Sequence, residues 1–331
     1  MIELCADWQP HSCCYLAWAV HPEWGKNAKN VKRELRRVIM TIAEYEPVRL
    51  LVPPDEIDDA KQQSFCPNVE IIEAPVDDIW MRDIAPTFGR RSNEIVAIDW
   101  NFNGWGSTRD RKARPGDKLA KMVAFGDVHV SAPFVAEGGA LISDGKGTII
   151  TTRSCLLNRN RNAGSAAIDI EEGLRSLGGR RVIWLEGDEM EPITSGHVDG
   201  YVMFGETGEV LVEGQSGINE VADAVRGRDI ETLRSSIDAQ GIPLNVKIVA
   251  PPRDNIFTYK SVLFAPAYLN AYVANGAVIM GMFGDPERDE LAGSALQTAF
   301  PGRQVRMIKI DHIAGGGGGV RCLTQPVPSP N

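Results

Sequence analysis

An α/β fold of five similar modules is the class this sequence predicts, with an ordinary open α/β sheet as the alternative. Three observations carry the prediction. A stretch of helical periodicity followed at once by a short β-branched run recurs five times along the chain. Further strand-like runs with turn signals tend to separate one such unit from the next. No internal linker rich in Pro, Ser or charge interrupts the series. A length of 331 residues would suit roughly two ordinary domains. A repeat closed into a ring holds that length as one unit, so one domain spanning 1–331 is expected.

The elements follow in order. Residues 30–43 put Leu35, Val38, Ile39 and Ile42 on one helical face and precede VRLLV at 48–52. Residues 117–125 precede VHV at 128–130, and residues 165–177 precede RVIWL at 181–185. Residues 219–239 precede VKIVA at 246–250. Residues 286–300 start with Pro286, which suits a first helical turn, and precede VRMIKI at 305–310. Between these units lie strand-like runs at 94–100, 147–152, 197–204, 209–214 and 269–283. The final PVPSPN, about 326–331, reads as a disordered tail.

Bulk composition narrows the function classes. Hydrophobic residues at 43% and charged residues at 24% are those of an ordinary globular protein. The formal net charge of −9 argues against nucleic acid, which needs a basic footprint, and is compatible with a cationic ligand. Six cysteines form no C-x-x-C pair, so neither a disulfide framework nor a zinc site is expected. A reducing, cytoplasmic setting follows as the simplest expectation. The N-terminal stretch has no signal-peptide pattern and no apolar run reaches membrane-spanning length, so no membrane partner is expected.

The chemistry-bearing residues cluster after strands. Gly315 to Gly319 are five consecutive glycines, followed by Val320, Arg321 and Cys322. Such a run lets backbone pass close to a ligand, with a thiol just beyond; an inert small residue in a strand is the plainer reading. His197 and Asp199 are two apart, which in an extended segment puts imidazole and carboxylate on one face. Asp83 lies among apolar neighbours and needs a partner, either Arg82 or another arginine, or a cationic substrate. Glu137, before two glycines, suits either a surface turn or the orienting acid of a histidine. No HExxH, G-x-S-x-G or GxGxxG motif occurs in a useful context, and the other histidines lack ligand spacing.

Taken together, WMRDIAPTF at 80–88, DWNFNGWG at 99–106, the segment 137–162, GHVDGYVMF at 196–204, YLNAYVANGAVI at 268–279 and GGGGGVRCLTQPVP at 315–328 resemble the agmatine deiminase and bacterial-type peptidylarginine deiminase family of the guanidine-modifying (pentein) superfamily. The resemblance implies a five-module α/β-propeller with pseudo-five-fold symmetry and an active site on its axis. It implies Cys322 as nucleophile, His197 as general acid/base and Glu137 as the acid supporting the histidine. Asp83 and Asp199 would hold a guanidinium, with Trp80 and Trp105 near the substrate. It also implies a small cationic guanidino substrate, no cofactor or metal, and by analogy a homodimer.

The residue types suit that chemistry. A guanidinium arrives charged and planar, and carboxylates accept its paired N–H groups. One such pair is worth on the order of 4 kcal/mol at 4 Å with an effective dielectric near 20, before desolvation. The reaction expected is hydrolysis of an agmatine-like guanidino compound to its ureido product and ammonia through a covalent cysteine thiouronium. Alternatives are free arginine or peptidyl-arginine as substrate, an amidinotransferase using the same residues, and a non-catalytic binder. The family's Asn and His before the nucleophile are replaced by Gly319 and Arg321. Arg321 is thereby expected either to be structural or, with Arg109, Arg111 or Arg114, to bind a substrate carboxylate.

Overall fold

The structure, a computed structural model, describes residues 2–107, 111–253, 261 and 263–330. The described strands form five separate sheets, and in each a strand pairs antiparallel with its hairpin or chain-end neighbour and parallel with a strand that follows a crossover. Counting the sheets in chain order from the one that holds His11–Ala17, in the fourth Glu209–Glu213 lies antiparallel to Val202–Phe204 and parallel to Asn245–Val249. In the fifth, Ala277–Met282 lies antiparallel to Tyr272–Val273 and parallel to Gln304–Lys309. The parallel partner is reached through a helix: Glu220–Ser235 in the fourth sheet, Pro286–Ala299 in the fifth, Ala167–Ser176 in the third. These crossovers follow from sequence, because a parallel pair cannot be joined by a tight turn.

The helices form on apolar spacing, and some also carry a side-chain cap. Ala28–Ile42 buries Val31, Leu35, Val38, Ile39 and Ile42. Glu34, buried on the same helix, accepts hydrogen bonds from the backbone N–H groups of His312 and Ile313. That contact ties the helix to the segment entering the glycine run. Glu220–Ser235 is capped by Asn219, whose Oδ1 accepts from Val221 and Ala222 N–H. Pro286 takes the first turn of its helix as expected.

Three expectations change. Residues 117–125 hold only the 3₁₀ turn Pro115–Lys118 and the short helix Leu119–Met122. Val123 leaves the helix in an extended conformation, and Phe125 is buried edge-on against Tyr15 at 5.1 Å. Burial of that ring outweighs continuation of a short helix. In 197–204 only Val202–Phe204 is strand, because Val198–Gly200 is a 3₁₀ turn.

The third concerns the chain end. Gln325–Pro328 is buried strand rather than tail, antiparallel to His11–Ala17 with Pro326 opposite Cys14. It lies on the edge of its sheet, where a proline's missing N–H costs no ladder bond. The two ends of the chain thus share one sheet, and Cys322 sits three residues before that junction.

Candidate active site

Cys322 lies in a turn, not a strand, between the glycine run and the last strand. Its N–H donates to Asn270 Oδ1 at 3.2 Å, and its carbonyl accepts from Arg82 N–H at 3.1 Å. The glycines are needed for close approach. A Cβ on Gly318 would sit 2.6 Å from the Trp80 ring and 3.2 Å from the Cys322 Cβ. One on Gly319 would sit 2.7 Å from Asn270 Oδ1, and Gly317 has φ +95°.

His197 follows two residues in the left-handed region, Ser195 at φ +62° and Gly196 at φ +90°. Thr194 Oγ1 accepts from the His197 N–H at 3.1 Å, and Thr152 donates to the Gly196 carbonyl at 2.7 Å. The turn sets the imidazole between two acids. Nε2 is 2.9 Å from Glu137 Oε1, and Nδ1 is 3.8 Å from Asp199 Oδ1. His197 and Asp199 therefore meet through a 3₁₀ turn rather than along a strand.

Glu137 is fully buried and held by Arg161, with Nη2 to Oε1 at 2.6 Å. Burial would raise its pKa, but Arg161 and His197 hold it down at about 2. For His197, burial opposes the charge, yet Asp83, Cys155 and Glu137 raise its pKa well above the ordinary histidine range. Glu137, Cys155 and His197 are also the one group among the described residues with metal-like spacing. The Arg161 cation already on Glu137 does not fit that use.

Asp83 is buried in the helical turn Met81–Ile84. Its oxygens accept from Gly139 N–H at 2.8 Å and Trp105 Nε1–H at 2.9 Å. No arginine or lysine pairs with it among the described residues. Arg82 turns away, its Nη1 3.8 Å from Asp7 and its Nε donating to the Arg321 carbonyl. Burial, with Glu137 and Asp199 adding to it, raises the Asp83 pKa in spite of His197. Trp105 reaches Asp83 from a left-handed run, with φ +54° between Gly104 and Gly106.

Asp199 differs: its Oδ2 accepts from Arg321 Nη1 at 2.8 Å, and Arg321 Nε donates to Asp7 at 2.9 Å. Arg321 is thus clamped between two carboxylates. Arg111 is held by Asp117 and Arg114 by Asp78 and Glu23. Arg109 lies outside the described residues.

A cavity of about 270 Å³ is lined by Cys322, His197 and Asp199 together with Asn270 and Gly317–319. Asp83, Glu137, Trp80 and Trp105 are not part of that lining. Trp80 packs beside Trp24 at 6.1 Å and against Gly318. Burial first, then the charges of Asp199 and Asp83, push the Cys322 thiol up to about 12. Sequence reasoning missed Arg161, Asn270, Asp7 and Cys155 as parts of this site. The signal for Arg161 was the requirement that a buried Glu137 be paired.

Comparison with known proteins gives the chain's family. Residues 3–328 match the Porphyromonas-type peptidyl-arginine deiminase family. The chain is 32% identical over 352 residues to the agmatine deiminase of Pseudomonas fluorescens, covering 98% of this chain and 95% of that one. It is 34% identical over 328 residues to a Legionella pneumophila protein provisionally named an agmatine deiminase, covering 98% and 94%. The solved agmatine deiminase of Enterococcus faecalis superposes with a TM-score of 0.90 at 26% identity, covering 99% and 96%. The chain belongs to the Porphyromonas-type peptidyl-arginine deiminase family.

Proposed function

We propose that this protein hydrolyses a C–N bond of a linear amidine, converting an agmatine-like guanidino compound to its ureido product and ammonia. With agmatine the product is N-carbamoylputrescine. One observation carries the reading: Asp83 is a buried carboxylate with no arginine or lysine paired to it among the described residues, electrostatically coupled to Cys322 and His197. A buried charge calls for a partner, and a guanidinium supplies one. The names of the relatives and of the superposed enzyme favour agmatine.

The residues divide the work as follows. Asp83 and the free side of Asp199 hold the guanidinium against the thiol. Binding cancels the two acidic charges that help raise Cys322, so the thiol ionises when substrate arrives. The thiolate attacks the amidine carbon and forms a C–S bond. His197 gives its proton to the departing nitrogen, and ammonia leaves a covalent thiouronium. Neutral His197 then takes a proton from water, which adds to the same carbon. The C–S bond breaks and the ureido product departs. Glu137, backed by Arg161, keeps the imidazole in place. Trp105 orients Asp83. Trp80 walls the glycine segment. Nothing in the sequence calls for a metal or organic cofactor.

The five sheets of similar plan support a single deiminase domain with its blades around one axis. The candidate carboxylate readers Arg321, Arg111 and Arg114 are each occupied by acids, which weakens the expectation that they bind free arginine. The test is a panel of guanidino compounds scored for ammonia and ureido product with no acceptor amine present. Ammonia from agmatine, absent with Cys322→Ser, is the expected result. Turnover that requires an added amine would replace the hydrolase with an amidinotransferase.

A further inference from the structure

The backbone of Cys322 is pinned on both sides of its α-carbon, and the two pins lead to the two acids whose charges act on its thiol. Its carbonyl accepts from the N–H of Arg82, the residue next to Asp83, at 3.1 Å. Its N–H donates to Asn270 Oδ1 at 3.2 Å, and Asn270 Nδ2 donates to the carbonyl of Asp199 at 3.2 Å. The first pin is main chain alone. The second runs through one side-chain amide, which offers an acceptor to the nucleophile and a donor to the acid's segment. The amide's orientation follows from those partners, because a backbone N–H only donates and a carbonyl only accepts.

Asn270 itself has little freedom. It is 2% exposed and lies on the cavity wall with Cys322 and Asp199. Its carbonyl accepts from the Arg321 N–H at 3.1 Å, and the N–H of Leu269 before it donates to the buried carboxylate of Glu213 at 2.9 Å. Gly319 clears the space beside it. A Cβ there would sit 2.7 Å from Asn270 Oδ1 and 3.0 Å from both its Cβ and its carbonyl oxygen. Asn270 is 71 residues from Asp199 and 52 from Cys322, so no short covalent link sets their spacing. The amide bridges the segment that carries the sulfur and the segment that carries a guanidinium-holding acid.

We propose that Asn270 is a positioning residue that sets the distance between the attacking sulfur and the guanidinium held on Asp199, while binding itself is left to the carboxylates. The assignment rests on the deiminase reading for what the sulfur attacks, so one readout of its test needs no turnover. A displacement of about 1 Å at the reacting atoms costs about 10²-fold in rate even when every reacting group is present.

Asn270→Ala removes both arms of the amide and keeps the main-chain bond to Arg321. In that variant kcat for agmatine falls about 10²-fold. The agmatine Kd, measured in a Cys322→Ala background, moves by less than about threefold, because the acids that pair with the guanidinium remain. With Cys322 intact, the rate advantage of a cationic haloacetamidine over neutral iodoacetamide at that sulfur falls about tenfold. Only the cationic reagent has to meet Asp199 and the sulfur together, whereas a merely structural role would move both reagents alike. Gly319→Ala pushes the amide aside without changing Asn270, gives the same split, and decides the matter should Asn270→Ala not fold. A kcat unmoved in folded protein overturns the proposal. So does a loss of agmatine affinity as large as the loss of kcat, or a reagent ratio that stays at its wild-type value. Wild-type protein that releases no ammonia from any guanidino compound overturns the deiminase reading, and the reagent ratio alone then upholds or overturns the role of Asn270.

Discussion

Cys322 and Cys155 are two thiols coupled to the same imidazole, and their surroundings differ in one respect that matters. Cys155 is fully buried, 3.8 Å from Glu137 Oε1, and burial followed by Glu137 raises its pKa. Cys322 is partly exposed on the cavity, and burial followed by Asp199 and Asp83 raises it. Glu137, the acid nearest Cys155, is already paired with Arg161 rather than waiting for a ligand's cation. Asp83 has no such cation, so a bound guanidinium changes the field at Cys322. The same chemical group is inert in one place and responsive in the other because of where the unpaired acid lies.

The strongest way to break this comparison is to remove each sulfur in turn. Cys322→Ser should lower turnover by about 10⁴-fold, as loss of a covalent nucleophile does. Cys155→Ser should stay within about tenfold, because it alters only the surroundings of His197. Steady-state ammonia release on both proteins checks this. Loss confined to Cys155→Ser would reverse the assignment.

Asp83→Asn sharpens the comparison by separating two readouts. Removing the carboxylate should lower kcat/KM by about 10²- to 10³-fold, the scale of a lost charge-assisted contact in a dry site. The same change removes one of the charges that raise the Cys322 pKa, so neutral iodoacetamide should label Cys322 faster. Slower turnover together with faster alkylation is not what a merely damaged site gives. A fall in both would count against Asp83 acting through its charge.

How much of this was legible in the sequence differs between the scaffold and the site. The helices over 28–42, 167–176, 220–235 and 286–299 announce themselves through apolar periodicity, which is local. The residues Asp83, Glu137, His197, Asp199 and Cys322 are legible through short motifs. Their pairings are not, because the partners are remote: Arg161 is 24 residues from Glu137, Asn270 is 52 from Cys322, and Asp7 is 314 from Arg321. At Arg321 the structural alternative fits, since its guanidinium is clamped between Asp7 and Asp199, but both partners are remote in sequence. The last strand was hidden by its two prolines, which deny a ladder only away from an edge.

The finest test of the two thiols is the pH dependence of their labelling. A folded-state pKa of about 12 leaves Cys322 protonated at neutral pH. Its thiolate fraction, and so its rate with uncharged iodoacetamide, should rise about tenfold per pH unit from 7 upward. A cationic haloacetamidine carries its own positive charge to Asp83 and Asp199 and lowers the thiol pKa on binding. Its labelling should therefore climb less steeply and already be rapid at pH 7. The Asp83→Asn variant should bring the two slopes closer together, because half of that charge response is gone. Cys155, out of contact with the cavity, should react with neither reagent until the protein unfolds. Peptide mass analysis after timed labelling assigns each adduct to its cysteine. Parallel slopes for the two reagents at Cys322 would mean that the acids do not govern the thiol, and the contrast between the two cysteines would reduce to exposure alone.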